Sequence, residues 1–289
     1  MNKKQILILG SKSYAAQNLP EVLRNSEYEI TCFNRGTTET KNNFVSGSVL
    51  ELSKNKFLEK SYEIVINFIL LKNESIDKNL KYIDELLKFC SLKGTKHLIH
   101  ISSMSVYSNS AKSISEESPI ETYSENKGVY ASVKIEIDKR LMSSQNAKLH
   151  ISYVRPGFIV ANDTQPSFAG ILMPLAFNIG LLMGNKKTTL PIIERTILHK
   201  AILQIINLNI KVSVYLIFSN SENTKFRFVK KRSKYKIIPL PQKATLLFGK
   251  LLLFLKILSE SQFKQIEGLF KTTRYDSSDT QHKLNLNFQ

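Results

Sequence analysis

The sequence predicts an α/β protein built around a doubly wound parallel sheet. Through the first half of the chain, short apolar runs alternate with amphipathic stretches, which is typical of buried strands alternating with covering helices. Strands are predicted at 5–10, 28–33, 62–68, 96–101 and 149–155. The clearest helix is predicted at 75–91, where apolar residues recur at helical spacing. Right-handed crossovers would bring the loops after the strands to one edge of the sheet, where ligands bind.

After Pro156 the pattern changes and indicates a second, smaller lobe. Helices are predicted at 168–183, 196–208 and 243–258, and a strand is predicted at 212–218. We therefore expect a core over residues 1–160 and a C-terminal lobe over 161–289, from which the stretch 196–220 returns to the core. The very apolar end of the last predicted helix could touch a membrane surface, but we interpret it as a helix docked on the core.

The chain is strongly basic. It has 289 residues and a net charge of +17, from 41 Lys and Arg against 24 Asp and Glu. Such basicity is expected of a protein with an anionic partner, although the lysines are scattered along nearly every segment. The segment 225–236 has no acidic residue. We interpret it as a solvated helix face beside an anionic substrate and not as a nucleic-acid surface.

The cysteines, the histidines and the N-terminus exclude other classes. Cys32 and Cys90 lie in apolar segments and are expected to be free core thiols, so no disulfide framework is predicted. The five histidines lack the spacing of metal ligands, and no metal site is expected. The first apolar run is too short for a signal peptide or a membrane span. This predicts a cytoplasmic protein without stable membrane insertion.

The loop after the first strand, "GSKSYAA" at 10–16, is the first candidate for cofactor binding. A strand that leads into a loop with three glycines typically opens a dinucleotide-binding unit. Here only Gly10 is glycine, and Ser13 and Ala16 occupy the other two positions. Pro20 falls in the predicted first helix, where it would remove a hydrogen bond and clash with the preceding turn. A loop that still binds a cofactor and a fold that has lost it both remain open.

The strongest chemical signal is "VYASVK", which places Tyr130 and Lys134 four residues apart. On a helix this spacing brings both side chains to one face. A tyrosine phenol has a pKa of about 10, and a neighbouring ammonium lowers that pKa by stabilising the phenolate. Upstream, the predicted strand 96–101 runs into serines, so that Ser103 and Ser105 follow its carboxyl end. A hydroxyl there can bond the substrate oxygen that Tyr130 protonates.

These motifs together resemble the extended short-chain dehydrogenase/reductase family, which comprises nucleotide-sugar epimerases, dehydratases and ketoreductases. The resemblance is carried by the order of the glycine-poor loop, "NFIL", "HISSMSVY", "YASVK" and "YVRPGFIV". It covers almost the whole chain and is most specific between 97 and 157. The resemblance implies a Rossmann-like fold, with a dinucleotide-binding core and a smaller substrate-binding lobe.

The resemblance also implies roles for individual residues. Tyr130 matches the catalytic tyrosine, Lys134 the lysine that binds the nicotinamide ribose, and Ser103 the catalytic hydroxyl. The substrate-side positions are Ser105, Asn79 and, if a short gap is assumed, Arg195. The remaining cofactor-binding positions are Gly10, Ser13, Tyr14, Asn34, Arg35, Ser48, Val49, Asn67, Pro156, Gly157 and Phe158.

Two departures from the family pattern narrow this expectation. Met104 and Ser105 stand where the dehydratases carry an Asp-Glu pair, so 4,6-dehydration is not expected, and ketone reduction or epimerisation remains. The second predicted strand ends in Asn34 and Arg35, with one cation and no carboxylate for a ribose 2′-hydroxyl. This favours NADP as the cofactor, with NAD as the alternative.

The leading hypothesis is an NAD(P)-dependent oxidoreductase of nucleotide sugars that acts as a 4-ketoreductase or a 4-epimerase. The ketoreductase is favoured because the chain is short. The alternative is a non-catalytic relative that binds a nucleotide or regulates a partner, as the missing glycines and Pro20 would suggest. A reductase of a small or lipid ketone fits the same catalytic set. The expected partners are a nucleotide-sugar substrate and, as an open option, a second copy in a homodimer, with no nucleic acid.

Overall fold

The computed structural model describes residues 3–24, 27–144, 148–161, 171–208, 213–219 and 224–288. Within these ranges the strands are β1 (Lys4–Leu9), β2 (Tyr28–Arg35), β3 (Glu39–Lys41), β4 (Phe44–Gly47), β5 (Ile64–Asn67), β6 (His97–Ile101), β7 (Ser113–Ile114), β8 (His150–Pro156), β9 (Phe158–Val160), β10 (Leu172–Pro174), β11 (Ile179–Leu182), β12 (Ile192–Glu194), β13 (Val214–Ile217), β14 (Lys236–Pro239) and β15 (Arg274–Tyr275). The α-helices are α1 (Leu19–Arg24), α2 (Ile76–Leu92), α3 (Val129–Ser143), α4 (Arg195–Leu208), α5 (Lys225–Arg232), α6 (Gln242–Phe254), α7 (Glu260–Phe270) and α8 (Ser278–Leu284).

The largest sheet has the strand order β13-β8-β6-β5-β1-β2-β4-β3. Its inner strands pair in parallel, and β3 at one edge is antiparallel to β4. From β1 the chain passes outwards to β2 and β4 on one side and then to β5, β6 and β8 on the other. The order therefore reverses between β1 and β5, and open α/β sheets bind ligands at such a switch point. The predicted α/β fold with a mostly parallel sheet is confirmed.

The predicted strands of the first half correspond to β1, β2, β5, β6 and β8. Every residue of β5 and β6 is buried, as expected for parallel strands that are covered on both faces. The helix predicted at 75–91 is α2, which begins after Ser75, whose hydroxyl accepts a hydrogen bond from the Lys78 N–H. Leu86 and Phe89 of α2 are fully buried in the same core cluster as Val65 of β5.

The chain forms two compact units. The first unit comprises Met1–Ser103, Val133–Arg155 and Thr196–Tyr215, and the second comprises Met104–Ser132, Pro156–Arg195 and Leu216–Gln289. Each unit is therefore assembled from separate stretches of the chain. The assignment of 1–160 to the cofactor and 161–289 to the substrate stays a prediction.

The helix predicted at 168–183 is wrong where the structure describes it, and its first residues lie outside the described ranges. The described part forms β10 and β11, an antiparallel pair that sets Pro174 opposite Gly180. Phe177 and Asn178 turn between the strands with φ of 58° and 56°, the left-handed conformation that tight turns use. Short apolar runs with turn residues suit strands as well as helices, and periodicity alone does not separate the two.

The interpretation of 243–258 as a helix docked on the core is wrong for one of its two sides, whereas Gly249 on the other side packs against α7. The helix is shorter than predicted, since α6 ends at Phe254. One of its faces is open to solvent, and Leu247 and Phe254 are 72% and 83% exposed. Apolar composition predicted the helix but not the burial of its surface.

Candidate active site

Gly10 shapes the loop that follows β1. Its φ is +82°, a conformation that strains any residue with a side chain. A Cβ at this position would lie 3.0 Å from Cγ1 of Ile69, in the loop after β5. The Gly10 N–H donates to the carbonyl of Phe33 in β2 (2.7 Å). The loop therefore starts at the switch point of the sheet, where only glycine fits.

The two positions that lack glycine do not require it for their conformation. The Ser13 N–H donates to the Gly10 carbonyl (2.9 Å) and the Ala16 N–H to the Ser13 carbonyl (3.0 Å), and neither residue has a positive φ. Ala16 is fully buried, so a small side chain is needed there. The Ser13 hydroxyl is buried and has no hydrogen-bond partner among the described residues. An unsatisfied buried donor at this point is suited to a ligand oxygen.

The interpretation of Pro20 as a helix breaker is wrong. α1 begins at Leu19, which puts Pro20 in the first turn. The backbone N–H groups of a first turn have no partner within the helix, so a proline there costs no hydrogen bond. This removes one of the two arguments for the alternative hypothesis, a non-catalytic relative.

Asn34 holds the loop in place. Its Oδ1 accepts the Lys12 N–H (3.0 Å) and its Nδ2 donates to Ser11 Oγ (2.9 Å). The amide therefore ties the end of β2 to the loop after β1. Its hydrogen bonds go to the chain itself, and its contact with a cofactor stays a prediction.

A pocket of about 500 Å³ opens beside the end of β2. Its wall carries three cations, Lys12, Arg35 and Lys41, and one carboxylate, Glu39. Arg35 is the exposed last residue of β2. Cationic side chains grouped in this way bind phosphate through charge-assisted hydrogen bonds. The loop, the Ser13 hydroxyl and this pocket together fit the anionic phosphates of a dinucleotide.

The other predicted cofactor residues of this region differ in accessibility. Ser48 is exposed at the start of the short 3-10 helix Val49–Lys54 and lines a smaller pocket of about 260 Å³. Val49 is buried, and Tyr14 is exposed on the loop after β1. Ser48 can therefore contact a ligand, whereas Val49 acts through packing.

α3 carries the predicted catalytic pair. Tyr130 is 49% exposed, whereas Lys134, one turn later, is 4% exposed. The Lys134 ammonium donates to the carbonyl of Ile101 at the end of β6 (2.7 Å). Burial lowers the pKa of Lys134 to about 8, and the nearby Asp138 carboxylate opposes this shift. Ser103, the predicted catalytic hydroxyl, follows two residues after Ile101.

Asp138, one turn beyond Lys134, anchors a buried polar network that sequence reasoning missed. Its Oδ2 accepts hydrogen bonds from Ser102 Oγ (2.8 Å) and Arg155 Nη2 (3.0 Å). Its Oδ1 lies 3.7 Å from His100 Nε2. The four residues of this network are all buried. The available signal was the spacing, since residues four apart share a helix face.

The charges in this network follow from burial. Burial raises the pKa of Asp138, although Arg155 and Ser102 lower it. Burial, and then the charges of Lys134 and Arg155, hold the pKa of His100 well below its ordinary value. The imidazole is therefore neutral and forms no ion pair with Asp138, whose charged partner is Arg155.

Asn67 and Asn79 brace the loop after β5. Asn67 Oδ1 accepts hydrogen bonds from the Tyr82 hydroxyl (2.7 Å) and the Ile69 N–H (3.0 Å). Asn79 Oδ1 accepts the Leu71 N–H (3.0 Å), and its Nδ2 donates to the Leu71 carbonyl (3.2 Å). Both residues are fully buried. Their side chains position the loop, and their predicted contacts with cofactor and substrate stay predictions.

In the second unit, a pocket of about 360 Å³ gathers three lysines. Its wall includes Ser105, Lys127, Lys225 and Lys271, and no carboxylate lines it within the described ranges. Lys225 is buried, and burial lowers the pKa of its ammonium. A basic pocket without an acid is suited to an anionic ligand.

Lys127 is the most constrained of these lysines. It is buried, and its ammonium donates to the Tyr107 carbonyl (2.8 Å) and to Asn109 Oδ1. Burial lowers the pKa of Lys127 to about 8, and Glu121 opposes this shift. Two neutral acceptors hold the ammonium at the pocket wall, so its charge is not cancelled by a bonded carboxylate.

The segment Pro156–Phe158 is fixed by its backbone. A Cβ at Gly157 would lie 2.2 Å from the Pro191 carbonyl oxygen, so only glycine allows this approach. The Gly157 N–H donates to the Ile217 carbonyl (2.9 Å) and the Phe158 N–H to the Pro191 carbonyl (2.6 Å). The predicted nicotinamide segment is therefore held in one conformation.

Arg195 is buried as the first residue of α4. In the described part of the chain it is not among the residues that line the lysine pocket of the second unit. Of the lysines of that pocket, Lys225 belongs to the segment expected beside an anionic substrate, although it is buried and not solvated as expected. Lys127 and Lys271 were not singled out by sequence reasoning, because residues far apart in the chain form the wall.

The chain is similar to known proteins in sequence and in fold. A model of the NAD dependent epimerase/dehydratase family matches residues 6–181. No curated protein matches the chain. Among solved structures, MoeE5 in complex with UDP-glucose and NAD is 14% identical with a TM-score of 0.69, over 99% of this chain and 93% of that chain. UDP-glucose 4-epimerase from Bifidobacterium longum, in complex with NAD+ and UDP, is 17% identical with a TM-score of 0.71, over 99% and 94%. The NDP-hexosamine 5,6-dehydratase TunA is 16% identical with a TM-score of 0.64, over 98% and 91%.

At these identities the structural matches show a shared fold, and function has to be argued from the site. The family match covers more than half of the chain, from β1 to β11. It includes the loop after β1, the serines after β6 and the Tyr130–Lys134 pair. The chain belongs to the NAD-dependent epimerase/dehydratase family.

Proposed function

We propose that the protein is an NADP-dependent oxidoreductase that acts on a nucleotide-linked sugar, as a 4-ketoreductase or a 4-epimerase. The observation that carries this proposal is the burial of Lys134, a residue that lies one helical turn after Tyr130 on α3. Burying an ammonium costs free energy. A role in proton transfer by Tyr130 explains why a lysine is buried one helical turn away from this tyrosine.

Each of the three catalytic residues has a separate task. Tyr130 donates a proton to the ketone oxygen of the substrate, and the Lys134 ammonium favours the phenolate that remains. Ser103 donates a hydrogen bond to the same oxygen. Asp138 lies one turn beyond Lys134 and favours its charged form. A bound nicotinamide would supply the hydride.

The choice of NADP is supported by the pocket beside β2. Arg35, Lys12 and Lys41 provide cations for a 2′-phosphate, and a carboxylate at the end of β2 that would select the 2′-hydroxyl of NAD is missing. The MoeE5 and epimerase structures contain NAD, which supports a nicotinamide cofactor and leaves NAD as the alternative.

The substrate class is supported by the lysine pocket of the second unit. Lys127, Lys225 and Lys271 suit the diphosphate of a nucleotide sugar, and Ser105 adds a hydroxyl to the same wall. MoeE5 was solved with UDP-glucose, and the Bifidobacterium longum epimerase with UDP. Met104 and Ser105 follow Ser103 without the acid pair that dehydration needs. Reduction or epimerisation is therefore the reaction that these residues support.

The experiment combines cofactor binding with turnover. Wild-type protein is titrated with NADPH and NADH by nicotinamide fluorescence, and then assayed with a panel of 4-keto and 4-hydroxy nucleotide sugars. NADPH should bind more tightly than NADH, and Arg35→Ala should reduce that preference. Tyr130→Phe should lower turnover by about 10²–10⁴-fold and leave NADPH binding unchanged. Tyr123→Phe, at another exposed tyrosine, is the matched control and should turn over normally.

The outcomes separate the hypotheses. If neither dinucleotide binds at near-millimolar concentration, the proposal is overturned and a protein without catalysis is supported. Binding with full turnover in Tyr130→Phe would show that the proton donor is another group.

A further inference from the structure

α6 presents two different faces within the second unit. On one side, Gly249 is buried and packs against Phe263 of α7. The opposite side is apolar and open to solvent. We call it the α6 apolar face, and it consists of Leu247, Phe248, Leu251 and Phe254 of α6 and of Leu255, which directly follows the helix. The exposed fractions of these side chains range from 50% to 83%.

The α6 apolar face forms one continuous stripe. At 3.6 residues per turn, its side chains fall within an arc of about 120° on a helix about 20 Å long. Lys243 and Lys250 lie along one edge of that arc, and Lys256 follows the C-terminal end of the helix. Monomeric proteins rarely expose a large contiguous apolar surface unless it binds something.

The charge of the chain segment that contains this face indicates what it binds. Between Asn223 and Ser259 the sequence holds ten Lys and Arg and no Asp or Glu. The segment includes α5, whose last turn carries Lys230, Lys231 and Arg232. A helix with an apolar face, lysines at its edge and a basic surrounding segment is typical of binding to the surface of an anionic bilayer. Lysine side chains at such an edge reach the headgroups while their methylenes stay on apolar ground.

We propose that the α6 apolar face binds the surface of an anionic lipid bilayer. Among the described residues, no helix is long and apolar enough to cross a membrane, so the contact is interfacial. A second copy of the chain fits poorly, because the lysines that flank one face would oppose those of the other. The proposal goes beyond the proposed function and does not rest on it, since the face contains none of the proposed catalytic residues.

Vesicle flotation with the full chain tests this proposal. Vesicles of phosphatidylcholine alone are compared with vesicles that also contain about 30% phosphatidylglycerol. We expect the protein to float with the anionic vesicles and to bind them at least about tenfold more tightly than the neutral ones. Lys243→Gln/Lys250→Gln/Lys256→Gln should reduce that preference, because electrostatic attraction to anionic lipid scales with the number of cations at the surface.

The apolar contribution has a matched control. Leu247→Glu/Phe254→Glu should weaken binding by at least about tenfold. Leu92→Glu, at an exposed leucine at the end of α2, should bind as the wild type does. Because all three side chains are exposed, circular dichroism should report unchanged folding. Equal binding by Leu247→Glu/Phe254→Glu and wild type would overturn the proposal, as would an absence of flotation with anionic vesicles. A concentration-dependent dimer that this variant abolishes, without any vesicle binding, would assign the face to a second copy.

A direct probe is available because the chain contains no tryptophan. Phe254→Trp places a single indole on the α6 apolar face, and Leu92→Trp places one at the control site. Anionic vesicles should shift the emission of Phe254→Trp to shorter wavelength and leave that of Leu92→Trp unchanged. No shift, or an equal shift at both sites, would contradict insertion of the α6 apolar face.

Discussion

Lys134 and Lys127 are both buried lysines whose pKa is lowered by burial, but their surroundings differ. Burial lowers the pKa of each ammonium to about 8. Lys134 lies in the first unit, one turn before the buried Asp138 and bonded to the carbonyl of Ile101. Lys127 lies in the second unit, bonded to a carbonyl and an amide, at the wall of a pocket without a described carboxylate.

The difference between the two lysines indicates which role each ammonium charge can have. A cation near a buried carboxylate has its charge stabilised by the protein itself. For Lys134 that charge is available to Tyr130, which lies on the same helix. A cation held by neutral acceptors beside a cavity keeps its charge for a ligand. We therefore assign Lys134 to the reaction and Lys127 to substrate binding, and the following variants test that division.

The largest effect on stability is expected from breaking the network beyond Lys134. Asp138→Ala removes the carboxylate that Arg155 and Ser102 contact, and leaves the buried guanidinium without its charged partner. Such a change should lower the free energy of unfolding by about 3–5 kcal/mol, measured by urea unfolding. Asp84→Ala is the control, because its partner Arg140 is exposed and solvent screens that pair. Equal unfolding midpoints for both variants would mean that the network contributes nothing.

The next effect is on the pH dependence of activity. A lysine whose pKa is lowered to about 8 loses its charge as the pH rises through that value, so kcat should fall up to about tenfold per pH unit above it. Lys134→Arg should move this limb to higher pH, since arginine stays charged. Because Lys127 titrates in the same range, Lys127→Arg is made in parallel. Should only Lys127→Arg move the limb in kcat, the assignments of the two lysines would be reversed.

A smaller effect is expected from loosening Lys127. Asn109→Ala removes one of the two acceptors of its ammonium. The loss of one hydrogen bond to a charged group should raise the KM for the nucleotide sugar by about tenfold, with kcat unchanged. Ser110→Ala is the control, because Ser110 is exposed and directly follows Asn109 in the chain. A change in kcat without a change in KM would argue against a binding role.

Sequence reasoning predicted the central sheet because its signals are local. Runs such as "QILIL" and "HLIHI" are largely apolar, which suits strands that are covered on both faces. It failed at β10 and β11, where an apolar run around Pro174 and Gly180 forms a hairpin in a small sheet. It also failed at α6, because composition does not say whether an apolar face finds a partner.

The candidate site likewise contains residues that local signals predict and residues that only the fold brings together. Tyr130 and Lys134 could be paired because their spacing is local, and Gly10 because it ends a strand. The lysine pocket could not be predicted, since Lys127, Lys225 and Lys271 come from distant parts of the chain. Asp138 could have been found from its spacing to Lys134. Its partners Ser102 and Arg155 lie at the ends of β6 and β8, and only the fold brings them to Asp138.

Steady-state kinetics of Lys134→Met and Lys127→Met, side by side, test the central claim most directly. Both changes remove a buried cation and keep most of the length of the side chain, and both variants are first checked for folding and NADPH binding. Lys134→Met should lower kcat by about 10²-fold or more. Lys127→Met should raise the KM for the nucleotide sugar by about tenfold or more and leave kcat near the wild-type value. A loss of kcat in Lys127→Met together with an unchanged kcat in Lys134→Met would contradict the division between the two lysines.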